Sequence, residues 1–238
     1  MIVERPWRLS SALAFAFLVL GVNLVASLAA REILTHELPD TATALLVGAC
    51  LTAASLVVLA VAWLASANNG ITFAQSVGLR RPHAVSPAAW IVPAVAGAVA
   101  ARLFALVYAT LVTTLHLELP GMDADPLLFF PGGAASVAVL LAVVVLIAPF
   151  AEEVAFRGVL LPALGARWGS VAAVVGSSAL FALIHLSPYL FIPILVASLV
   201  FGRLFVRFES LWPAFLCHAL FNGAAVVLAL ALRGSGVL

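Results

Sequence analysis

The sequence predicts an all-α fold: a polytopic membrane bundle of about seven to eight transmembrane helices. Hydrophobic residues make up 65% of the 238 residues and charged residues only 9%, whereas a soluble domain carries about a quarter charged residues. The apolar residues also fall into runs of about 20, the length that an α-helix needs to cross a bilayer. The lipid bilayer is therefore the expected surrounding. The net charge of +1, without a basic run, predicts no nucleic-acid partner.

Seven apolar runs are long enough to span a membrane. They cover residues 9–30, 41–65, 88–114, 134–164, 170–186, 189–207 and 212–232. The run 71–79 is too short and is predicted to lie at the membrane interface. The segment 115–133 contains acids and Pro-Gly pairs, which are typical of an extramembrane loop. This loop divides the chain into N-terminal transmembrane helices, 1–114, and a C-terminal helical core, 134–233.

The arginines predict the orientation, because basic residues are enriched in cytoplasmic loops. With the N-terminus inside, the inner segments carry Arg5, Arg8, Arg80, Arg81, Arg167, Arg203 and Arg207. We therefore expect a multi-pass protein of the cell membrane with a cytoplasmic N-terminus. The chain has no lysine and is rich in alanine, which favours a prokaryotic origin. Arg102, alone in the third span, is expected to snorkel to the interface rather than to pair with an acid.

Two adjacent acids and an arginine interrupt the fourth span. Glu153 and Arg157 are four residues apart, so they share one helix face and can pair. Glu152 points about 100° away from Glu153. A carboxylate held in an apolar site can act as a general base on water. The alternative is a pair of solvated acids at the membrane interface.

Two further polar pairs follow at the same helical spacing. Phe181 and His185 share a face, and so do His218 and Asn222. An imidazole beside an amide can donate hydrogen bonds to a developing oxyanion. The alternatives are a buried core histidine and a polar contact between packed helices.

Chain geometry relates the first two motifs. The midpoint between Glu152 and His185 falls in the segment 165–169, whose glycines predict a turn. An antiparallel hairpin about that turn places both side chains at similar depth. The same count does not bring His218 to this depth, because it follows the predicted turn at 209–212 by only a few residues.

Taken together, the three motifs resemble the CPBP intramembrane protease family, which includes type II CAAX prenyl endopeptidases and bacteriocin-processing or self-immunity proteins. The family pattern is EExxxR, then FxxxH, then HxxxN. It stands here as Glu152-Glu153-x-x-x-Arg157, Phe181-x-x-x-His185 and His218-x-x-x-Asn222. The resemblance covers about 134–230 and implies a bundle of about eight helices around a water-accessible cavity.

The resemblance also implies roles for six catalytic residues. Glu152 would activate water and His185 would assist it. His218 and Asn222 would stabilise the oxyanion, and Glu153 with Arg157 would form a supporting pair. The activity would be that of a CAAX-type intramembrane protease. Its partner would be a membrane-associated protein or peptide substrate, either a prenylated CaaX protein or, in a prokaryote, another precursor.

Metal use and activity each leave alternatives open. The family is often described as metalloproteases, and a zinc ion would have Glu152, His185 and His218 as candidate ligands. A metal-free site would use the same residues as base and hydrogen-bond donors. The sequence lacks an HExxH helix and does not decide between them. Two other functions compete with the protease: a non-enzymatic immunity or scaffolding protein, and a proton-coupled transporter using Glu and His as a relay.

Overall fold

The computed structural model describes residues 7–83, 86–122 and 133–234, and these residues form helices without any strand. Six of the helices are long and apolar enough to cross a membrane. The predicted all-α, multi-pass class is therefore confirmed. Arg5 and residues 123–132 of the predicted connecting loop lie outside the described residues. The cytoplasmic position of the N-terminus stays a prediction.

The N-terminal part contains three long helices and one short one. They are α1 Leu9–Leu34, α2 Asp40–Asn68, α3 Phe73–Val77 and α4 Ala88–Thr114. The short helix α3 lies in the predicted interfacial run. A capping box between Thr72 and Gln75 starts it, and Gly78 ends it in the left-handed conformation (φ 79°). The indole of Trp7 donates to the Ser76 carbonyl at 3.0 Å, which ties α3 to the start of the chain.

The C-terminal part begins with a helical stretch of 50 residues, Ala134–Leu183, which is interrupted at Gly169. Its segments are α5 Ala134–Leu140, the π-helix π1 Leu141–Ile147, α6 Ala148–Glu153, the π-helix π2 Val154–Leu160 and α7 Leu161–Leu183. The chain reverses at Gly169 (φ 79°, ψ 171°). We call residues 134–168 the first arm and 170–183 the second arm. The rings of Phe156 and Phe181 lie 5.1 Å apart across the two arms, so the arms form the predicted antiparallel hairpin.

Two long helices complete the bundle: α8 Pro188–Phe208 and α9 Leu211–Gly234. Contacts between distant loops define which helix ends lie together. Arg80 pairs with Glu209 at 2.7 Å, and the Tyr189 N–H donates to the Pro120 carbonyl at 3.3 Å. These contacts put the start of α8 beside the segment that follows α4, and the end of α8 beside the segment that precedes α4. The stretch between α4 and α8 must therefore cross the bundle twice, once in each arm. The six apolar helical stretches therefore correspond to the seven predicted spans, because the stretch Ala134–Leu183 contains two of them, one on each side of Gly169.

Residues 153–164 of the first arm lie at the centre of the bundle. These residues are all buried, and a helix that is buried on every face must be surrounded by other helices. The hydrophobic core around it combines Trp7, Phe15 and Val58 with Val154 and Phe156. The two predicted parts of the chain therefore share one core.

Gly158 allows α3 to approach the first arm closely. A Cβ added at Gly158 would lie 2.7 Å from the Val77 Cβ and 3.1 Å from the Val77 Cα. Contacts this short with backbone and a buried side chain leave no room for a methyl group. The glycine therefore fixes the position of α3 against the central helix.

We expect Gly158→Ala to destabilise the protein by about 1–3 kcal/mol, the usual cost of overpacking a core. The matched control is Gly21→Ala in α1, because a Cβ at Gly21 would meet nothing within 4 Å. That control should keep or slightly raise stability through better helix propensity. Thermal unfolding in detergent micelles measures both variants, and equal melting temperatures would contradict the proposed constraint.

Candidate active site

A fully buried ion pair lies at the centre of the site. Arg157 Nη1 is 2.9 Å from Glu153 Oε1, and both side chains have 0% exposure. This confirms the pairing predicted from their spacing. Arg157 Nη2 also donates to Ser198 of α8, at 2.5 Å to the hydroxyl and 3.0 Å to the carbonyl. The guanidinium lies 4.8 Å from the ring centre of Phe181 and 5.3 Å from that of Phe201.

His218 connects this ion pair to the second acid. Its Nδ1 lies 2.9 Å from Glu153 Oε1. Because that carboxylate oxygen also accepts from Arg157, the imidazole must donate from Nδ1. The ring stacks on Phe201 at 4.6 Å and 19°. Its Nε2 consequently faces Glu152, 3.6 Å from Oε2.

The start of α9 explains how His218 reaches this depth. The Leu211 N–H donates to the Gly78 carbonyl at 2.9 Å. Gly78 directly follows Val77, the α3 residue that packs on Gly158. Helix α9 thus begins level with Gly158 rather than with the tip of the hairpin. His218 follows Leu211 by seven residues, and Glu152 precedes Gly158 by six, so both lie about 10 Å along antiparallel helices.

His185 is oriented by the end of the second arm. Its Nδ1 lies 2.8 Å from the Phe181 carbonyl oxygen. A carbonyl only accepts hydrogen bonds, so the ring carries its proton on Nδ1. In the neutral ring, Nε2 then keeps a lone pair. The Phe181 and His185 rings contact each other at 5.0 Å, as expected for neighbours on one helix face.

Four of the six predicted site residues line one cavity of about 490 Å³: Glu152, His185, His218 and Asn222. Glu152 and His185 therefore meet in the same space, in agreement with the hairpin prediction. Glu153 and Arg157 lie behind the wall. The two adjacent acids differ accordingly, since the Glu152 side chain keeps 19% exposure and that of Glu153 keeps none.

Asn222 is held by a hydrogen bond that the sequence did not indicate. Its Nδ2 donates to the Val144 carbonyl at 3.0 Å. In π1 the Ala148 N–H donates to the Val143 carbonyl, five residues earlier. In the same pattern the Val144 carbonyl would accept from the N–H of residue 149. Residue 149 is proline and has no N–H. The Asn222 amide supplies the missing donor to Val144.

The N-terminal part contributes more polar groups to the cavity than its sequence suggested: Asn23, Ser55, Arg102 and Tyr108. The expectation that Arg102 snorkels to the interface is wrong. Its Nη2 donates to the Phe221 carbonyl of α9, and its guanidinium lies 3.9 Å over the Phe221 ring. A lone charge in an apolar span was the signal for a site residue, whereas Ser55 and Tyr108 carried no such signal.

The geometry does not support the zinc alternative. Among the described residues, no group of three or more His, Cys, Asp or Glu side chains is arranged to hold a metal ion. The structure thus gives no support to zinc ligation by Glu152, His185 and His218 together.

The fold and the site define a membrane-embedded helical protein whose cavity combines a carboxylate, two imidazoles and an amide. Residues 134–224 match the family described as type II CAAX prenyl endopeptidase Rce1-like. The match is consistent with the CPBP family and agrees with the resemblance that the three motifs indicated. No curated protein and no solved structure gives a significant match to the chain.

We expect Arg157→Met to destabilise the protein by about 3–5 kcal/mol, because it leaves the Glu153 carboxylate buried without its partner. Arg167→Met, at the exposed tip of the hairpin, is the matched control and should change stability by less than about 0.5 kcal/mol. Adding Glu153→Gln to Arg157→Met should recover part of the loss. Thermal unfolding in micelles measures these variants. Equal effects at positions 157 and 167 would contradict the buried pair.

The Asn222 bond predicts a coupling with residue 149. Asn222→Ala should cost about 1–3 kcal/mol, the penalty for a buried carbonyl without a donor. In a Pro149→Ala background the backbone gains an N–H for this stretch of helix, so the same substitution should cost less. A double-mutant cycle on unfolding free energies measures the coupling. Strictly additive losses would show that the proline does not create the need for Asn222.

Proposed function

We propose that this protein is an intramembrane endopeptidase in which Glu152 activates water for attack on a peptide bond. The observation that carries the proposal is the position of Glu152. It is the one carboxylate among the described residues that line the cavity, and His185, His218 and Asn222 line the same cavity. Burial among apolar side chains strengthens the electrostatic interactions of such groups with a reacting centre.

In the proposed reaction, Glu152 accepts a proton from a water molecule while the water oxygen attacks the carbonyl carbon. The His185 Nε2 lone pair accepts a hydrogen bond from the same water and orients it. When the C–N bond breaks, the proton held by Glu152 passes to the leaving nitrogen. The products are a carboxylic acid and an amine, which exchange a proton to give a carboxylate and an ammonium group, and the protein returns to its starting state.

His218 and Asn222 are the proposed donors to the oxyanion. His218 would need a proton on Nε2 as well as on Nδ1. Carboxylates lie beside both ring nitrogens, Glu153 at 2.9 Å from Nδ1 and Glu152 at 3.6 Å from Nε2. The Asn222 amide has two N–H groups, and the bond to Val144 uses one of them. The second is available to the oxyanion.

Glu153 and Arg157 are proposed as positioning residues, because they reach the reacting atoms only through His218. The ion pair fixes the Glu153 oxygen that orients the imidazole. Arg157 is fixed in turn by Ser198. Such second-sphere support sets the tautomer and angle of a catalytic histidine.

The proposed substrate is a membrane-associated protein or peptide, with a prenylated CaaX protein as the first candidate. Support comes from the family match over residues 134–224 and from the cavity, whose walls are largely apolar and include Leu106, Ile194 and Val226. A prokaryotic cell membrane with a cytoplasmic N-terminus remains the proposed location.

Glu152→Gln is expected to lower cleavage by about 10²–10⁴-fold, because the amide keeps the shape of the side chain but cannot accept the proton. Purified protein in detergent is incubated with a peptide pool that includes farnesylated CaaX peptides, and products are read by mass spectrometry. Glu118→Gln, on an exposed turn, is the matched control and should cleave like the wild type. A chelator is expected to leave the rate unchanged.

Full cleavage by Glu152→Gln would exclude Glu152 as the base. If the wild type cleaves nothing while its cellular role survives Glu152→Gln, the non-enzymatic alternative is favoured.

A further inference from the structure

Arg102 brings a positive charge to the wall of the cavity. It lies near the middle of α4, 14 residues after Ala88 and 12 before Thr114. These spacings correspond to about 21 Å and 18 Å along the helix axis. An arginine side chain cannot extend from there to either end of the helix. A charge at such a position is costly, so it indicates a function.

The contacts of Arg102 do not neutralise its charge. Nη2 donates to the Phe221 carbonyl, and the guanidinium covers the Phe221 ring. Both partners orient the group without carrying a negative charge. Within the described part of the chain, no acid lies within ion-pair distance of Arg102. Its Nε is buried and has no hydrogen-bond partner.

The position of Phe221 relates Arg102 to the candidate catalytic groups. Phe221 lies three residues after His218 on α9 and directly before Asn222. Three residues correspond to an axial rise of about 4.5 Å. Arg102 and both of these polar residues line the same cavity. An extended peptide advances about 3.3–3.6 Å per residue, so a few residues beyond the scissile bond can reach the guanidinium.

We propose that Arg102 is a specificity-determining residue that binds a carboxylate of the substrate, the C-terminal α-carboxylate of the segment to be released. This inference rests on the proposed peptidase function and adds a residue outside the three motifs. The planar guanidinium matches a carboxylate with two parallel hydrogen bonds. A chain end also needs less space than a continuing chain does in a cavity lined on several sides by helices. The carboxylate would supply the missing countercharge.

The test compares peptides that differ only at the chain end. One fluorescent farnesylated CaaX peptide is made as the free acid, as the C-terminal amide, and as an amide with aspartate as its last residue. Their binding to full-length protein in micelles is measured by anisotropy in a Glu152→Gln background, so that turnover does not interfere. The compared variants add Arg102→Gln or Arg102→Lys.

The acid is expected to bind about 10–100-fold more tightly than the plain amide, the usual range for a charged hydrogen-bonded pair. Arg102→Gln should weaken binding of the acid peptide to the level of the amide peptide. Binding of the amide peptide should not change, which also verifies that the variant is folded. Arg102→Lys should keep part of the preference for the acid, because it keeps the charge but loses the two parallel N–H donors of the guanidinium. Tight, Arg102-dependent binding of the aspartate amide would support the site and extend its ligand to acidic side chains.

Equal binding of acid and amide, including no binding of either, would overturn the proposal. A preference for the acid that survives Arg102→Gln would overturn it as well. The proposed peptidase function is judged separately, by the loss of cleavage in Glu152→Gln. If cleavage depends on Glu152 but the protein does not prefer the acid peptide, only the proposed role of Arg102 is rejected. If the protein prefers the acid peptide through Arg102 but cleaves nothing, only the proposed peptidase function is rejected.

Discussion

The ion pair between Glu153 and Arg157 is the constraint on which the site depends. Two charges without exposure inside an apolar bundle are tolerated only when neighbouring groups stabilise them. Three other elements meet the first arm to do so: α8 through Ser198, α9 through His218 and the second arm through the Phe181 ring. The arrangement that makes the pair tolerable also brings His218 to Glu152. Stability and the geometry of the cavity thus have a common origin.

The sequence predicted the contacts that arise within one helix or across one short turn. The spacing of Glu153 and Arg157 predicted their pairing, and the glycines near residue 169 predicted the hairpin. It did not predict the depth of His218, since that depends on a hydrogen bond between Leu211 and Gly78 from distant parts of the chain. The position of Arg102 was mispredicted for the same reason: a lone charge indicates a cost, but only the packing of α4 against α9 reveals its contact with Phe221.

Irregular helix geometry accounts for the remaining difference between prediction and structure. No periodic pattern in the apolar stretch 134–164 distinguishes a π-helix from an α-helix. The π-helix π1 leaves the Val144 carbonyl without a backbone donor because of Pro149, and an amide from another helix takes its place. That bond fixes the orientation of Asn222 before any substrate enters. A fixed donor needs no reorganisation when charge develops beside it.

The π-helices also set the rotational phase of the first arm. Each residue turns an α-helix by about 100°, which is the angle that separates Glu152, facing the cavity, from Glu153, facing the ion pair. If one residue were lost from π1 while the helix kept its path, each later residue would occupy the position of its predecessor. Glu153 would then face the cavity and Val154 would face His218. The paired acids would still place a carboxylate in the cavity, but Arg157 and His218 would lose the oxygen they share. A single codon deleted upstream of the motif would therefore keep a carboxylate in the cavity and remove the acid beside His218 without altering any polar residue.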